Sequence, residues 1–168
     1  NGLSVAYRFL NDGSIAIHDD RWLTYPWGVN GGTPGRRSTK VVHRADGTQQ
    51  TLPAKCDGIE VKKGDVLYFN TWGGGGWGDP YLREPAHVLD DVNRGLVSIE
   101  GAKRYGVIIE NSHVDLAKTV ILREQLSNAR GETQLFDFGG TIEEIKARCL
   151  EETGLPAPET PRFVRARA

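Results

Sequence analysis

Residues 71–80, TWGGGGWGDP, place five glycines and two tryptophans in ten positions, and bare backbone amides are the raw material of an anion cradle. A phosphate-binding P-loop follows its glycines with Lys-Ser/Thr at the start of a helix. Here Asp79-Pro80 stands at that point, a negative charge with no donor, so nucleotide binding by this chain is not indicated. Glycine loses more conformational freedom on folding than any other residue, whereas tryptophan buries a large area and fixes whatever carries it. The combination predicts an ordered loop in which Trp72 and Trp77 anchor Gly73, Gly74, Gly75 and Gly76 while the glycines admit a second backbone or a substrate. Asp79 is expected to cap this loop or to pair with Arg83 or Arg21.

A second loop of the same kind, residues 25–37 (YPWGVNGGTPGRR), carries Trp27, Gly31 and Gly32 and ends in Arg36 and Arg37, which with its amides could hold an anion. Other chemistry is thin. His18 with Asp20, two apart on a strand, and His87 with Asp90 or Asp91, one turn apart on a helix, each offer two ligands where a catalytic zinc takes three, so no metal is assigned. No Gly-x-Ser-x-Gly elbow is present, and neither Cys56 nor Cys149 has a histidine near it in sequence.

The elements that must position these loops fall into two halves. Alternating runs separated by Asn11-Asp12-Gly13 and by Ala45-Asp46-Gly47 read as β-hairpins, because Asp-Gly turns supply the positive φ that tight hairpins need. A turn at Lys63-Gly64 feeds an inner strand, 65–71, that delivers the chain to the glycine loop. After Pro80 the pattern turns helical. One helix starts at Pro85 with Val88, Leu89 and Val92 on one stripe and ends at Gly95. A short one is capped by Ser98 and closes near Gly106. From Val114 a longer amphipathic helix turns Leu116, Val120 and Ile121 inward and Lys118, Arg123 and Glu124 outward. Thr141-Ile-Glu-Glu144 is a capping box whose helix stops before Gly154. The expected architecture is α+β: a β-rich hairpin half with Gly/Trp loops, then several helices, then an extended Pro-rich tail over 155–168.

Composition narrows the partners. The 21 Lys+Arg nearly cancel the 22 Asp+Glu in a 168-residue chain, so no basic field recruits nucleic acid. No apolar run reaches the roughly 20 residues needed to cross a bilayer, and residues 1–4 carry no signal pattern, so no membrane partner is expected. Two cysteines without a CxxC fit a reducing cytoplasm. With no methionine and an immediate entry into a strand, the chain reads as a fragment or processed piece, and its open strand edge at 3–10 asks to be covered.

The motifs YPWGVNGG, PG, RADGT, LPAK, GDVLYFNTWGGGGWGDP, DVNRGLVS and YGVII, in this order and spacing, resemble the carboxy-terminal part of hydantoinase B. That is the N-methylhydantoinase and 5-oxoprolinase type, which includes subunits of acetone and acetophenone carboxylases. The resemblance runs from residue 3 to 109, and the later FDFGG and EETGLPAPETP resemble the ends of many members. It implies a β-rich portion at 1–110, a helical extension at 111–154 and a tail at 155–168. It also implies a B-type subunit of an ATP-dependent cyclic-amide hydrolase, inactive when isolated. The alternatives are the same piece of a ketone carboxylase, or a non-catalytic scaffold. An A-type subunit would bind ATP with Mg and phosphorylate the substrate. The remainder of the B-type subunit would hold a catalytic divalent metal, with no cofactor on this chain. Its catalytic residues are not identified, and Trp27, Gly31, Gly32, Trp72–Trp77 and Asp79 are expected to form a substrate or interface loop.

Overall fold

A computed structural model describes residues 2–159. Ten strands and four α-helices follow one another: β1 Ser4–Arg8, β2 Gly13–His18, β3 Gly28–Val29, β4 Thr39–His43, β5 Gln49–Thr51, β6 Lys55–Val61, β7 Val66–Asn70, α1 Pro85–Asn93, α2 Ile99–Ala102, β8 Ile109–Glu110, β9 His113–Val114, α3 Leu116–Arg130, β10 Phe136–Asp137 and α4 Ile142–Thr153. The α+β class expected from the sequence is what forms. Positions 160–168 of the expected tail lie outside the described residues. None of the described helices is long and apolar enough to cross a membrane.

The chain divides into two compact units, each built from separated segments. Among the described residues the sheet unit takes 2–25, 37–72 and 140–159, and the helical unit takes 26–36 and 73–139. In the sheet unit a four-stranded sheet runs in the order β1-β7-β4-β5, and β2 pairs with β6. All these pairings are antiparallel. The hairpin read at Ala45-Asp46-Gly47 is present: β4 and β5 pair from Val41↔Thr51 to His43↔Gln49, with Gly47 at φ 88°.

The hairpin read at Asn11-Asp12-Gly13 is not. β1 pairs with β7 and β2 with β6, so residues 4–18 form one long antiparallel ribbon with 55–70, bent where both chains leave the ladder. Gly13 has no positive φ; the left-handed glycine at this bend is Gly64, φ 96°, on the opposite strand. Asp12 Oδ1 accepts the Lys63 N–H at 2.8 Å, which ties one side of the bend to the other. Further along the ribbon β6 inserts Asp57 and Gly58 opposite Ala16, a bulge that Gly58 accommodates at φ 65°.

Inward positions of these strands build the core. Ile17, Val42, Leu52 and Leu67 are buried together, with Phe9, Ile15, Cys56, Ile59 and Phe69 packed around them. A satellite cluster of Trp22, Ala54 and Cys149 docks α4 on the same unit. The capping box is formed: the Thr141 hydroxyl accepts from Glu144 N, and the Glu144 carboxylate accepts from Thr141 N at 2.8 Å. Lys40 also points inward on β4 and is fully buried. Burial pulls its ammonium below the usual lysine range, and the ion pair with Asp19, which Ser38 also donates to, opposes that pull.

The helical unit centres on Val88, Ala102, Val107 and Ile109, backed by Leu89, Val92, Tyr105 and Val114. Helices α1 and α2 follow the expected caps, with Ser98 Oγ accepting Gly101 N–H and Gly95 and Gly106 left-handed. Helix α3 is turned the other way from expectation. Leu116, Val120 and Ile121 are exposed, and the face that meets the unit carries Thr119 and Arg123. The Thr119 hydroxyl accepts the Ile108 N–H at 3.0 Å, and the Arg123 guanidinium donates to the carbonyls of Tyr105 and Arg83. Polar side chains win this face because what they meet is loop backbone with carbonyls and N–H groups to satisfy.

Candidate functional site

The two glycine loops, some forty residues apart in sequence, meet within the helical unit backbone against backbone. Val29 N–H donates to Gly76 O at 2.9 Å, Gly76 N–H to Thr33 O at 2.8 Å and Gly78 N–H to Val29 O at 2.9 Å. A parallel bridge joins Val29 to Trp77. Within the first loop Gly35 N–H donates to Pro26 O and Gly32 N–H to Val29 O, so its backbone is satisfied locally. β3 also pairs antiparallel with β10, and Asn30 and Gly31 donate to the carbonyls of Leu135 and Gln134.

This approach is possible only without side chains. A Cβ on Gly75 would lie 1.7 Å from Trp27 O, one on Gly32 2.1 Å from Gly76 O, and one on Gly35 2.7 Å from Gly73 O. Gly74 is different: nothing lies within 4 Å of its Cβ position. None of Gly74, Gly75 and Gly76 has left-handed φ, so backbone conformation is not what reserves these positions for glycine. Close backbone approach is what excludes a Cβ from Gly75. Left-handed glycines flank the contact at Gly31, φ 87°, and Gly78, φ 80°.

The tryptophans do not act alike. Trp27 rests against Phe138 with ring centroids 6.2 Å apart, and Phe138 in turn stacks near Phe136. Trp77 is 79% exposed, so it does not lock the loop by burial. Trp72 belongs to the sheet unit, where β1–β7 pairing extends past the strand ends: Thr71 N–H donates to Leu3 O, and Leu3 N–H to Thr71 Oγ1.

Asp79 closes the second loop, with a partner other than the two arginines expected. Arg130, in the last turn of α3, grips it through two parallel hydrogen bonds of 2.8 Å. Arg83 pairs instead with Asp91. Asp79 Oδ1 also accepts the Tyr81 N–H at 2.9 Å, capping a 3-10 turn over Pro80–Leu82. The Arg130 bonds hold its carboxyl below the usual carboxylate range, and the Tyr81 amide adds to the effect. The Arg130 guanidinium lies 4.6 Å from the centre of the Tyr81 ring. Nothing local signals Arg130, which is 51 residues from Asp79.

His18 and Asp20, read as a pair from the sequence, have different partners. His18 meets Asp57 at 3.5 Å, while Asp20 pairs with Lys55. Among the described residues no group of three His, Cys, Asp or Glu is placed to hold a metal ion.

Residues 1–80 match the hydantoinase B/oxoprolinase family. The chain is 37% identical over 127 residues to an uncharacterised protein of Methanocaldococcus jannaschii, covering 73% of this chain and 22% of that one. It is 33% identical over 119 residues to the B-type subunit of a putative D-/L-hydantoinase from a Pseudomonas species, 69% of this chain and 20% of the relative. This chain belongs to the hydantoinase B/oxoprolinase family. Among solved structures it resembles the ATP-dependent caprolactamase from Pseudomonas jessenii, with 27% identity and a TM-score of 0.62 over 73% of this chain and 22% of that one. The hydantoinase B-family chain thus spans about a fifth of the length of the relatives it matches. Both glycine loops fall within the matched residues.

Proposed function

We propose that this chain is part of the B-type subunit of an ATP-dependent cyclic-amide hydrolase and works with an ATP-binding subunit of the A type. The likeness to a hydantoinase component and to an ATP-dependent caprolactamase carries this proposal, because both names describe opening of a cyclic amide. A lactam carbonyl resists water because nitrogen donates into it. Moving a phosphoryl group from ATP to its oxygen, with ADP leaving, removes that resistance: water adds to the carbon, the C–N bond breaks to open the ring, and a second water releases the phosphate. ATP with Mg and a catalytic divalent metal are assigned to the rest of the complex, which would supply the phosphoryl group and the activated water.

The part given to this chain is positional. Trp27, Gly31, Gly32, Trp72, Gly73, Gly74, Gly75, Gly76, Trp77 and Asp79 would form a rigid loop pair facing the substrate or the rest of the complex. The backbone interlock supports rigidity, since it leaves the loops hydrogen-bonded to each other. The exposure of Trp77 is compatible with an outward role, since it leaves a large aromatic side chain accessible to a partner.

The test uses the full-length subunit with its ATP-binding partner. ATP cleavage stimulated by hydantoin, 5-oxoproline or caprolactam, and not by a ketone with bicarbonate, is the expected result. Stimulation by the ketone and bicarbonate alone would replace this proposal with a carboxylase. The 168-residue chain by itself should show no ATP binding at micromolar nucleotide.

A further inference from the structure

The loop segment 26–36 is carried on two residues of the sheet unit, Tyr25 before it and Arg37 after it, and the side chains of both converge on Glu152 of α4. The Tyr25 hydroxyl donates to Glu152 Oε1 at 3.0 Å, and Arg37 Nε to Glu152 Oε2 at 2.7 Å. Arg37 also donates to the Tyr25 hydroxyl oxygen at 2.9 Å and to the carbonyls of Trp22 and Leu23. Its guanidinium lies 4.8 Å from the centre of the Tyr25 ring. The Arg37 side chain is 3% exposed, and Glu152 is the carboxylate paired with it. A buried cation left without its carboxylate is a strongly unfavourable arrangement, so the Tyr25–Arg37 pair is sensitive to this one residue of α4.

Helix α4 is itself well held. Ile145 and Cys149 are buried, Cys149 packs with Trp22 and Ala54, and the capping box fixes its first turn. It therefore brings Glu152 to Tyr25 and Arg37 as a preset group. We infer that Glu152 is a positioning residue: it latches the two ends of the 26–36 segment together and so sets the register in which Gly28–Gly35 meets Gly73–Gly78. The inference rests on the proposed role of that loop pair, but its test does not depend on turnover.

Hydrogen exchange on the full-length protein in its complex reads the latch directly. In Glu152→Ala the amides of Val29 and Gly76, which donate across the interlock, and of Gly32 and Gly35, which donate within the first loop, should exchange at least tenfold faster, while those of β4 and β7 keep their protection. Tyr25→Phe removes one arm and should give a smaller increase at the same amides. Glu152→Gln, which keeps an acceptor but not the charge, should restore part of the protection lost in the alanine variant. Unchanged exchange at the four loop amides in Glu152→Ala would overturn the latch. So would loss of protection spread evenly over the sheet unit, which would mark Glu152 as a docking residue of α4 alone. If Glu152→Ala does not fold, Tyr25→Phe decides by the same criterion. Faster loop exchange in a protein that opens no cyclic amide would support the latch and refute the proposed function.

Discussion

Gly32 and Gly76 stand so close that a Cβ on the first would lie 2.1 Å from the carbonyl oxygen of the second. Two loops far apart in sequence thus share a surface made of main chain. Main chain is the least adjustable thing a substitution can meet. A flexible side chain can swing away, whereas a carbonyl bonded into a neighbouring loop cannot.

The glycines should therefore separate by position. Gly32→Ala and Gly75→Ala force a methyl onto backbone oxygens and should cost about 3 kcal/mol or more, the upper end of what overpacking does. Gly74→Ala meets nothing within 4 Å and should be neutral or stabilise by about 0.4–1 kcal/mol through the unfolded chain. Chemical denaturation of the three variants checks the order. Equal losses in all three would show that the contact is not what excludes a side chain.

That difference between Gly74 and Gly75 marks the limit of what the sequence makes legible. Composition and the tryptophans identify an ordered loop, but adjacent glycines in a run look alike until their partner is known. Trp27 O is the partner of Gly75 and lies 48 positions earlier. The caps at Ser98 and Thr141 and the β4–β5 turn are legible because the hydrogen bonds that close them span at most four residues. Asp12-Gly13 misleads because the Asp-Gly preference describes a turn's φ, and here the strand partner β6–β7 supplies the left-handed glycine instead.

Asp79 and Arg130 make a bidentate pair with side chains 17% and 28% exposed. Asp79→Asn keeps the cap on Tyr81 and loses the charge, so it should cost less than Asp79→Ala, which leaves both Arg130 and the Tyr81 N–H unpaired. The alanine variant is expected to lose about 1–3 kcal/mol. A double-mutant cycle with Arg130→Ala should show coupling on the order of 1 kcal/mol. Additive losses would mean that the two residues do not support one another.

Helix α3 offers a reversed pattern to test. By its sequence Val120 belongs to an apolar stripe, yet Thr119 is 2% exposed and Val120 56%. Thr119→Val preserves shape and removes the acceptor for Ile108 N–H, so it should destabilise the 168-residue chain by about 1–3 kcal/mol. Val120→Gln should stay within about 0.5 kcal/mol in that chain. The opposite order, read by urea unfolding, would return the helix to the orientation its hydrophobic pattern suggests. That pattern misleads because α3 packs on loop backbone, where the groups to be satisfied are polar.

Acid should find the sheet unit's weak point at Asp65, which faces the bend where the long ribbon leaves its ladder. Its side chain accepts from Lys62 N–H at 3.0 Å, Ala45 N–H at 2.8 Å and the Arg44 guanidinium at 3.0 Å. One carboxylate thus ties the β4–β5 turn to the β6–β7 bend. The Lys62 and Ala45 amides, with Arg44, hold the carboxyl below the usual aspartate range. A carboxyl whose pKa is lower folded than unfolded contributes stability that is complete above the unfolded value and is lost as pH falls through the folded one. The sheet unit should therefore weaken from the ordinary aspartate range downward, and Asp65→Asn should be less stable at neutral pH with a flatter acid limb. Unfolding midpoints of both proteins from pH 7 to pH 3 provide the measurement. Parallel pH profiles would show that the carboxylate's charge contributes nothing at this bend.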